Sequence, residues 1–354
     1  MDEDATVLTS YFRERHGAGA RFLGEALVDR GLRSPVAAGI LLRGTEGYGP
    51  GRLQSGRDHI SPLSEDLPLT AVVVGAKPRT EALLDEIAEL TQARLVTMER
   101  ARLLSGEIEP QWPGESAAEA TRLTIYCWHA DRVYQVPAFE AACELLYRRG
   151  VAGATVLSGA GAIADERRRA PFLRHGGDAP LMVVAVSSGE RIGMVLPELG
   201  GLFRHPLMTV STVRLCLRDG QFISRPEFLP GGDTAVVPAG MTSRVKLAVY
   251  TSEAARHDSQ PLHRAIVRRL RSAGVSGATS VRGIWGFHGD HAPHGDRFPR
   301  HGRHVPVVTT MVDTPERIAA AFGVIDTFGP DLSLVTAEAV LALELANVPV
   351  DQGS

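Results

Sequence analysis

One stretch of this chain is written three times, and that repetition limits its fold more than any other feature. Gly150-Val-Ala-Gly-Ala-Thr-Val-Leu-Ser-Gly159 and Gly274-Val-Ser-Gly-Ala-Thr-Ser-Val-Arg-Gly283 repeat one another almost letter for letter, and Ala38-Gly-Ile-Leu-Leu-Arg-Gly44 is a third version. Two landmarks test the register. A proline opens the third strand at Pro68, Pro180 and Pro306, and a threonine sits in the last strand at Thr97, Thr209 and Thr336. The first step is 112 residues for both landmarks, and the second is 126 for the prolines and 127 for the threonines. Such a period far exceeds that of solenoid repeats, so each copy is a whole domain.

Within each copy the apolar pattern reads β-α-β-β-α-β. In the first, strands are expected at Thr6–Phe12, Ala37–Arg43, Leu69–Val74 and Leu95–Leu103. A helix is expected over Ala20–Arg30, stopped by Gly31, and a second after Pro78 with Leu83, Leu84, Ile87 and Leu90 as its stripe. The second copy places strands at Thr121–Trp128 and Ala152–Ser158 around a helix over Val136–Arg149, then Leu181–Val186, Glu190–Phe203 and Leu207–Leu217. The third has strands near Val245–Tyr250, Ser276–Arg282, Val305–Val312 and Ser333–Val340, with helices near Gln260–Ser272 and Pro315–Phe328. The division is therefore unit one, 1–104; a Pro-, Gly- and Glu-rich linker, 105–120; unit two, 121–217; a proline-interrupted linker, 218–243; unit three, 244–345; and a tail, 346–354.

A unit of this order puts both helices on one face of its sheet, and the other face must be covered or tolerate water. Here both faces are apolar: Leu123, Ile125 and Cys127 oppose Tyr126 and Trp128, and Val245, Leu247 and Val249 oppose Ala248 and Tyr250. Exposed sheet faces of that kind would be sticky. The expected fold class is α+β: three tandem ferredoxin-like units closed into an intramolecular pseudo-trimer, sheets inward and helices outward.

The 354 residues carry a net charge of −3, so no global basic field points to nucleic acid. Cys127, Cys143 and Cys216 are scattered in apolar runs without Cys-x-x-Cys spacing, which suggests neither a disulfide framework nor a zinc ribbon. No run approaches the ~20 apolar residues of a membrane helix, and the acidic start lacks the apolar core of a secretory signal. The expected location is the cytoplasm, and the chain is not expected to span a membrane.

The run Gly-Ala-Thr-x-x-x-Gly after an amphipathic helix, then an aromatic beside glycine, then Leu63-Ser-Glu-Asp-Leu-Pro68, resembles the family called domain of unknown function 190, in the PII-like (GlnB-like) superfamily. The resemblance covers all three units and is closest at Leu42-Arg-Gly-Thr-Glu-Gly-Tyr-Gly49. It implies a single-chain version of a homotrimer of ferredoxin-like protomers. It also implies small effectors, adenine nucleotides among them, bound in clefts between protomers, and a mobile partner-binding loop after the second strand. A membrane transporter such as a fluoride exporter is the protein partner it suggests.

The ligand-binding candidates come from that loop and its counterpart in unit three: Arg43, Gly44, Gly47, Tyr48, Gly49, Arg52, Glu65 and Asp66, then Arg282, Gly283, Trp285 and Phe287. Glycines let a backbone approach a ligand, arginines pair with phosphate or carboxylate, and Tyr48 offers a stacking face. Unit two has lost the pattern: Leu157-Ser-Gly-Ala-Gly-Ala-Ile-Ala164 lacks both the arginine and the aromatic. Sites built from units one and three are therefore expected, with unit two as scaffold.

His288, Asp290, His291 and His294 are a second group. They offer imidazole and carboxylate ligands, but the run holds Gly and Pro and no Cys, so a solvated loop is the preferred reading and a bound metal is not expected. Phosphate-loop, nucleophile-elbow and zinc-protease signatures are absent from the sequence. So is the glycine- and lysine-containing loop before the last strand that holds phosphate in PII proteins, which argues against ATP and leaves another nucleotide open. The reading is a non-enzymatic, PII-like regulator. The alternatives are a metal-dependent, hydrolase-like enzyme using the histidine loop, and a structural adaptor.

Overall fold

The structure is a computed structural model and describes residues 2–13, 37–49, 53–55, 67–90, 95–106, 108, 118–160, 179–226, 229, 237–289, 291–295 and 305–344. The helix expected over Ala20–Arg30 lies outside them, as do Arg52, Glu65, Asp66 and Asp290.

Unit one runs β1 (Asp2–Arg13), β2 (Ala38–Arg43), β3 (Glu46–Tyr48), β4 (Leu53–Ser55), β5 (Pro68–Ala76), α1 (Lys77–Leu90) and β6 (Leu95–Ser105). Unit two has β7 (Glu119–Trp128), the two-residue strands β8 (Arg132–Val133) and β9 (Val136–Pro137), and α2 (Ala138–Arg148). It continues with β10 (Gly153–Ala160), β11 (Pro180–Ser187), α3 (Gly189–Leu202), β12 (Leu207–Arg218) and β13 (Gln221–Phe222). Unit three opens with β14 (Thr242–Ser252), β15 (Arg256–His257), β16 (Gln260–Pro261), α4 (Leu262–Ser272), β17 (Ala278–Arg282) and β18 (Trp285–His288). Then come β19 (His294–Gly295), β20 (Pro306–Asp313), α5 (Pro315–Asp326) and β21 (Leu334–Glu344). The α+β class and the repeated strand–helix order match the sequence expectation.

Local chemistry explains the helices. In α2 the buried set Ala138, Phe139, Ala142, Cys143 and Leu146 forms one stripe. In α4 Leu262, Ala265, Ile266 and Leu270 do the same, while arginines hold the wet side. Both helices end at the first glycine of the repeated motif. Gly150 and Gly274 adopt φ of 69° and 79°, and their N–H groups donate to Tyr147 and Arg271 carbonyls. That left-handed position strains any residue with a Cβ.

The long strands of each unit pair antiparallel, and the closing strands also pair with each other across units. The C-terminal half of β6 meets the start of β12 (Leu104↔Met208), the C-terminal half of β12 meets β21 (Leu217↔Val335), and the end of β21 meets β6 (Leu341↔Met98). Two of the three landmark threonines hydrogen-bond a tyrosine from the first strand of their own unit, Tyr126 with Thr209 at 3.5 Å and Tyr250 with Thr336, whereas the Thr97 hydroxyl is buried without a hydrogen-bond partner among the described residues. Next to them lies a buried ionic quartet. Arg122 spans Glu99, at 3.0 Å, and Glu338, while Lys246 reaches the same two carboxylates at 2.7 and 2.9 Å. Burial would raise the Glu338 carboxyl, but Arg122 and Lys246 outweigh it and hold it below the usual range.

The second sheet faces are not wet. Val7, Ile40, Val72 and Leu103 of unit one pack with Tyr126, Trp128 and Met182 of unit two and Val281 of unit three in one core cluster. Ala120, Val186 and Val213 of unit two join Leu334 of unit three in another.

Candidate functional site: a cleft between units two and three

The motif that follows each second strand does not stay in its own unit. β3 of unit one pairs with β17 of unit three, placing Tyr48 opposite Ala278 and Gly47 opposite Thr279. β18 of unit three pairs with β10 of unit two in the same way, Phe287 opposite Ala154 and Gly286 opposite Thr155. The end of β10 reaches β2 of unit one, with Gly159 opposite Leu42.

These joints dictate the glycines. A Cβ on Gly47 would sit 2.6 Å from the Ala278 carbonyl oxygen, and one on Gly286 would sit 2.3 Å from that of Ala154. No side chain fits there, so the glycine beside the aromatic lets two backbones approach. Gly44 and Gly283 donate their N–H groups to the carbonyls of Pro68 and Pro306, both at 2.8 Å. The strand-opening prolines thus hold the bend between second strand and motif. Gly49 has open space around its Cα.

The aromatic residues become plugs. Tyr48 is buried in the core of unit three. Its hydroxyl has no hydrogen-bond partner among the described residues, and burial raises its pKa. Phe287 is buried in the core of unit two, edge-on to Tyr147 at 5.4 Å, and Trp285 meets Phe139 at 6.2 Å. Glu46, fully buried, meets Arg264 of α4 at 3.1 Å, and burial raises its carboxyl pKa despite that guanidinium. Arg43 is exposed, and Arg282 is held by Glu253 at 2.9 Å.

Beside the β10–β18 joint opens a cavity of about 500 Å³, within the ordinary range for small-ligand pockets. Unit two supplies Ala154, Thr155, Val184 and Val186; unit three supplies the end of β14, Tyr250 to Ser252, and Phe287. His288, His291 and His294 stand along the same wall, and Ser333 and Leu334 close it. The surface is mainly apolar, with hydroxyls at its edges. Tyr250 is tied to Thr336, and burial pushes its phenol up to about 12, so it stays neutral and able to donate. His288 Nε2 lies 2.9 Å from Asp219 Oδ1 of the β12–β13 turn, which orients the ring. Among the described residues no group of three or more side chains is placed to hold a metal ion.

Of the sequence candidates, Phe287 and the three described histidines meet at this cleft, whereas Tyr48, Gly44 and Gly47 belong to the other joint. Unit two, expected as scaffold, forms half of the cleft. Tyr250, Thr251, Val184 and Val186 were not singled out from sequence. The usable signal was the apolar second face of their strands, which also marks every buried neighbour.

The geometry describes a repeat protein whose units lend each other a strand and a plug. The profile of DUF190 (Uncharacterized ACR, COG1993) matches residues 5–103, 120–215 and 244–342. The chain belongs to this PII-like family, in three tandem copies. No described helix is long and apolar enough to cross a membrane.

Proposed function

We propose that this chain is a PII-like regulator in which three units form an intramolecular pseudo-trimer and bind a small effector at a junction between units. The observation that carries the reading is the cleft of about 500 Å³ between units two and three, assembled by the same motif strand that defines the repeat. The cyclic pairing of β6, β12 and β21 supports the arrangement. The apolar walls and hydroxyl edges suit a flat body with hydrogen-bonding rims, such as a nucleobase. None of the described lining residues is Lys or Arg, so a polyphosphate finds no counter-charge there. The protein acts without chemistry of its own. Effector binding biases the loops that flank the cleft and thereby a protein partner, for which a membrane ion transporter such as a fluoride exporter is the family-based suggestion. Ligand-driven switching of this kind requires different contacts in the two loop states.

Isothermal titration against nucleobases, nucleosides and nucleotides tests this. Saturable binding of one of them, abolished by Ser252→Trp at the cavity wall, is the expected result. Absence of binding across the panel defeats the regulator reading.

A further inference from the structure

A second cavity, of about 410 Å³, lies where the closing strands β6, β12 and β21 approach each other, and all three units line it. Most of its charges are already matched. Lys77 stands 3.8 Å from Glu81, and Glu338 is taken by Arg122 and Lys246. Arg100 and Glu119 each interact within the protein. Arg214 differs: its Nε is buried and has no hydrogen-bond partner among the described residues. Buried polar groups are nearly always satisfied, so this nitrogen calls for an acceptor from outside. The remaining wall is apolar, built from Met98, Val213, Leu229, Val340 and Leu341. At the rim Val237 is a large hydrophobic residue left exposed.

We infer that this cavity binds a small monocarboxylate with an apolar body. The carboxylate accepts from the Arg214 guanidinium, the pairing that a planar fork of donors favours. The body packs on Met98, Val213 and Leu229 and covers Val237. A dianion fits less well, because its second negative charge finds no unmatched cation in the lining: Lys77 stands with Glu81, and Arg100 already interacts within the protein. The site has no residue in common with the cleft between units two and three, so it stands independently of the reading given to that cleft.

Calorimetric titration of the full chain with octanoate tests the assignment, with octanamide and octyl phosphate as parallel arms. Octanoate is expected to bind saturably at one per chain, and the other two at least tenfold more weakly. Arg214→Gln lowers octanoate affinity at least tenfold without changing the circular dichroism spectrum. Leu229→Asp, at the cavity edge, weakens it as well, which covers the case in which the arginine variant folds poorly. Ser252→Trp blocks the other cleft and leaves octanoate binding intact. The inference is overturned if the wild type does not bind octanoate, if Arg214→Gln binds it equally well, or if octanamide or octyl phosphate matches it.

Discussion

The joint between units one and three and the joint between units three and two have one backbone and two chemistries. In each, a short strand lies on the neighbour's second strand, with a glycine pressed against an alanine carbonyl and an aromatic sunk into the neighbour's core. At the first joint the position before the glycine holds the buried Glu46, paired with Arg264, and the helix beside it carries His263. At the second the matching positions hold Trp285 and Phe139, which meet edge to face. The cleft of about 500 Å³ lies beside the second joint. Backbone complementarity sets that a joint forms, and the side chains at those positions set what else the junction does. A buried ion pair is costly to desolvate and demands its partner, so the first joint is committed to holding units together. An aromatic pair leaves the neighbouring surface apolar and open to a ligand.

The largest effect expected from breaking this comparison is on the glycines. Gly286→Val and Gly47→Val each force a Cβ against a backbone carbonyl, a clash with no flexible side chain to yield. Each is expected to destabilise the chain by more than about 4 kcal/mol, or to prevent folding. Urea denaturation measures it. If the joints are equivalent at the backbone, the two losses agree within about 1 kcal/mol; a mild result at Gly47 alone would show that the first joint tolerates separation.

Much of this fold was legible in the sequence because its evidence is periodic. The thrice-repeated proline and threonine locate the units, and several of them turn out to have structural jobs: Pro68 and Pro306 accept the hinge N–H groups of Gly44 and Gly283, and Thr209 and Thr336 hold Tyr126 and Tyr250. The cleft was less legible. A glycine that lets a ligand approach and a glycine that lets another strand approach leave the same letter in the sequence. An aromatic that stacks on a base and one that plugs a core are equally indistinct. Val184 and Tyr250 face the cleft only because units two and three meet at a particular register, and no local pattern encodes a register between segments so far apart. Arg122, Lys246, Glu99 and Glu338 show the same limit, since four charges on four strands read as ordinary surface until the strands converge.

A smaller effect separates the joints by pH. Burial, with Arg264 and Arg256 nearby, pushes the His263 imidazole down to about 4 from 6.5, and its counterpart at the other joint, Phe139, does not titrate. Below 6.5 the unfolded chain binds a proton that the folded chain refuses until about 4. Stability from this residue is therefore complete above 6.5 and falls as the pH drops towards 4, by about 3 kcal/mol in all. Glu46 has the opposite sense, because its raised pKa contributes stability at low pH that is lost as pH rises through the folded value. His263→Phe copies the second joint into the first. The variant is expected to lose less stability than wild type between pH 6.5 and 4 in denaturant titrations; equal losses would mean His263 is protonated in the folded state.

The smallest expected effect is also the sharpest test of the plug. Tyr48 and Phe287 occupy the same position on matching strands, yet only Tyr48 carries a hydroxyl, and that hydroxyl is buried without a partner among the described residues. An unsatisfied buried polar group costs more than the apolar group that replaces it. Tyr48→Phe makes the two plugs identical and is expected to leave the chain as stable as before or to stabilise it by about 1 kcal/mol. A loss of that size instead would show that the hydroxyl has an acceptor, and that the first joint is held by a hydrogen bond the second one lacks. Either outcome ranks the joints, because the aromatic body is common to both and only one oxygen atom distinguishes them.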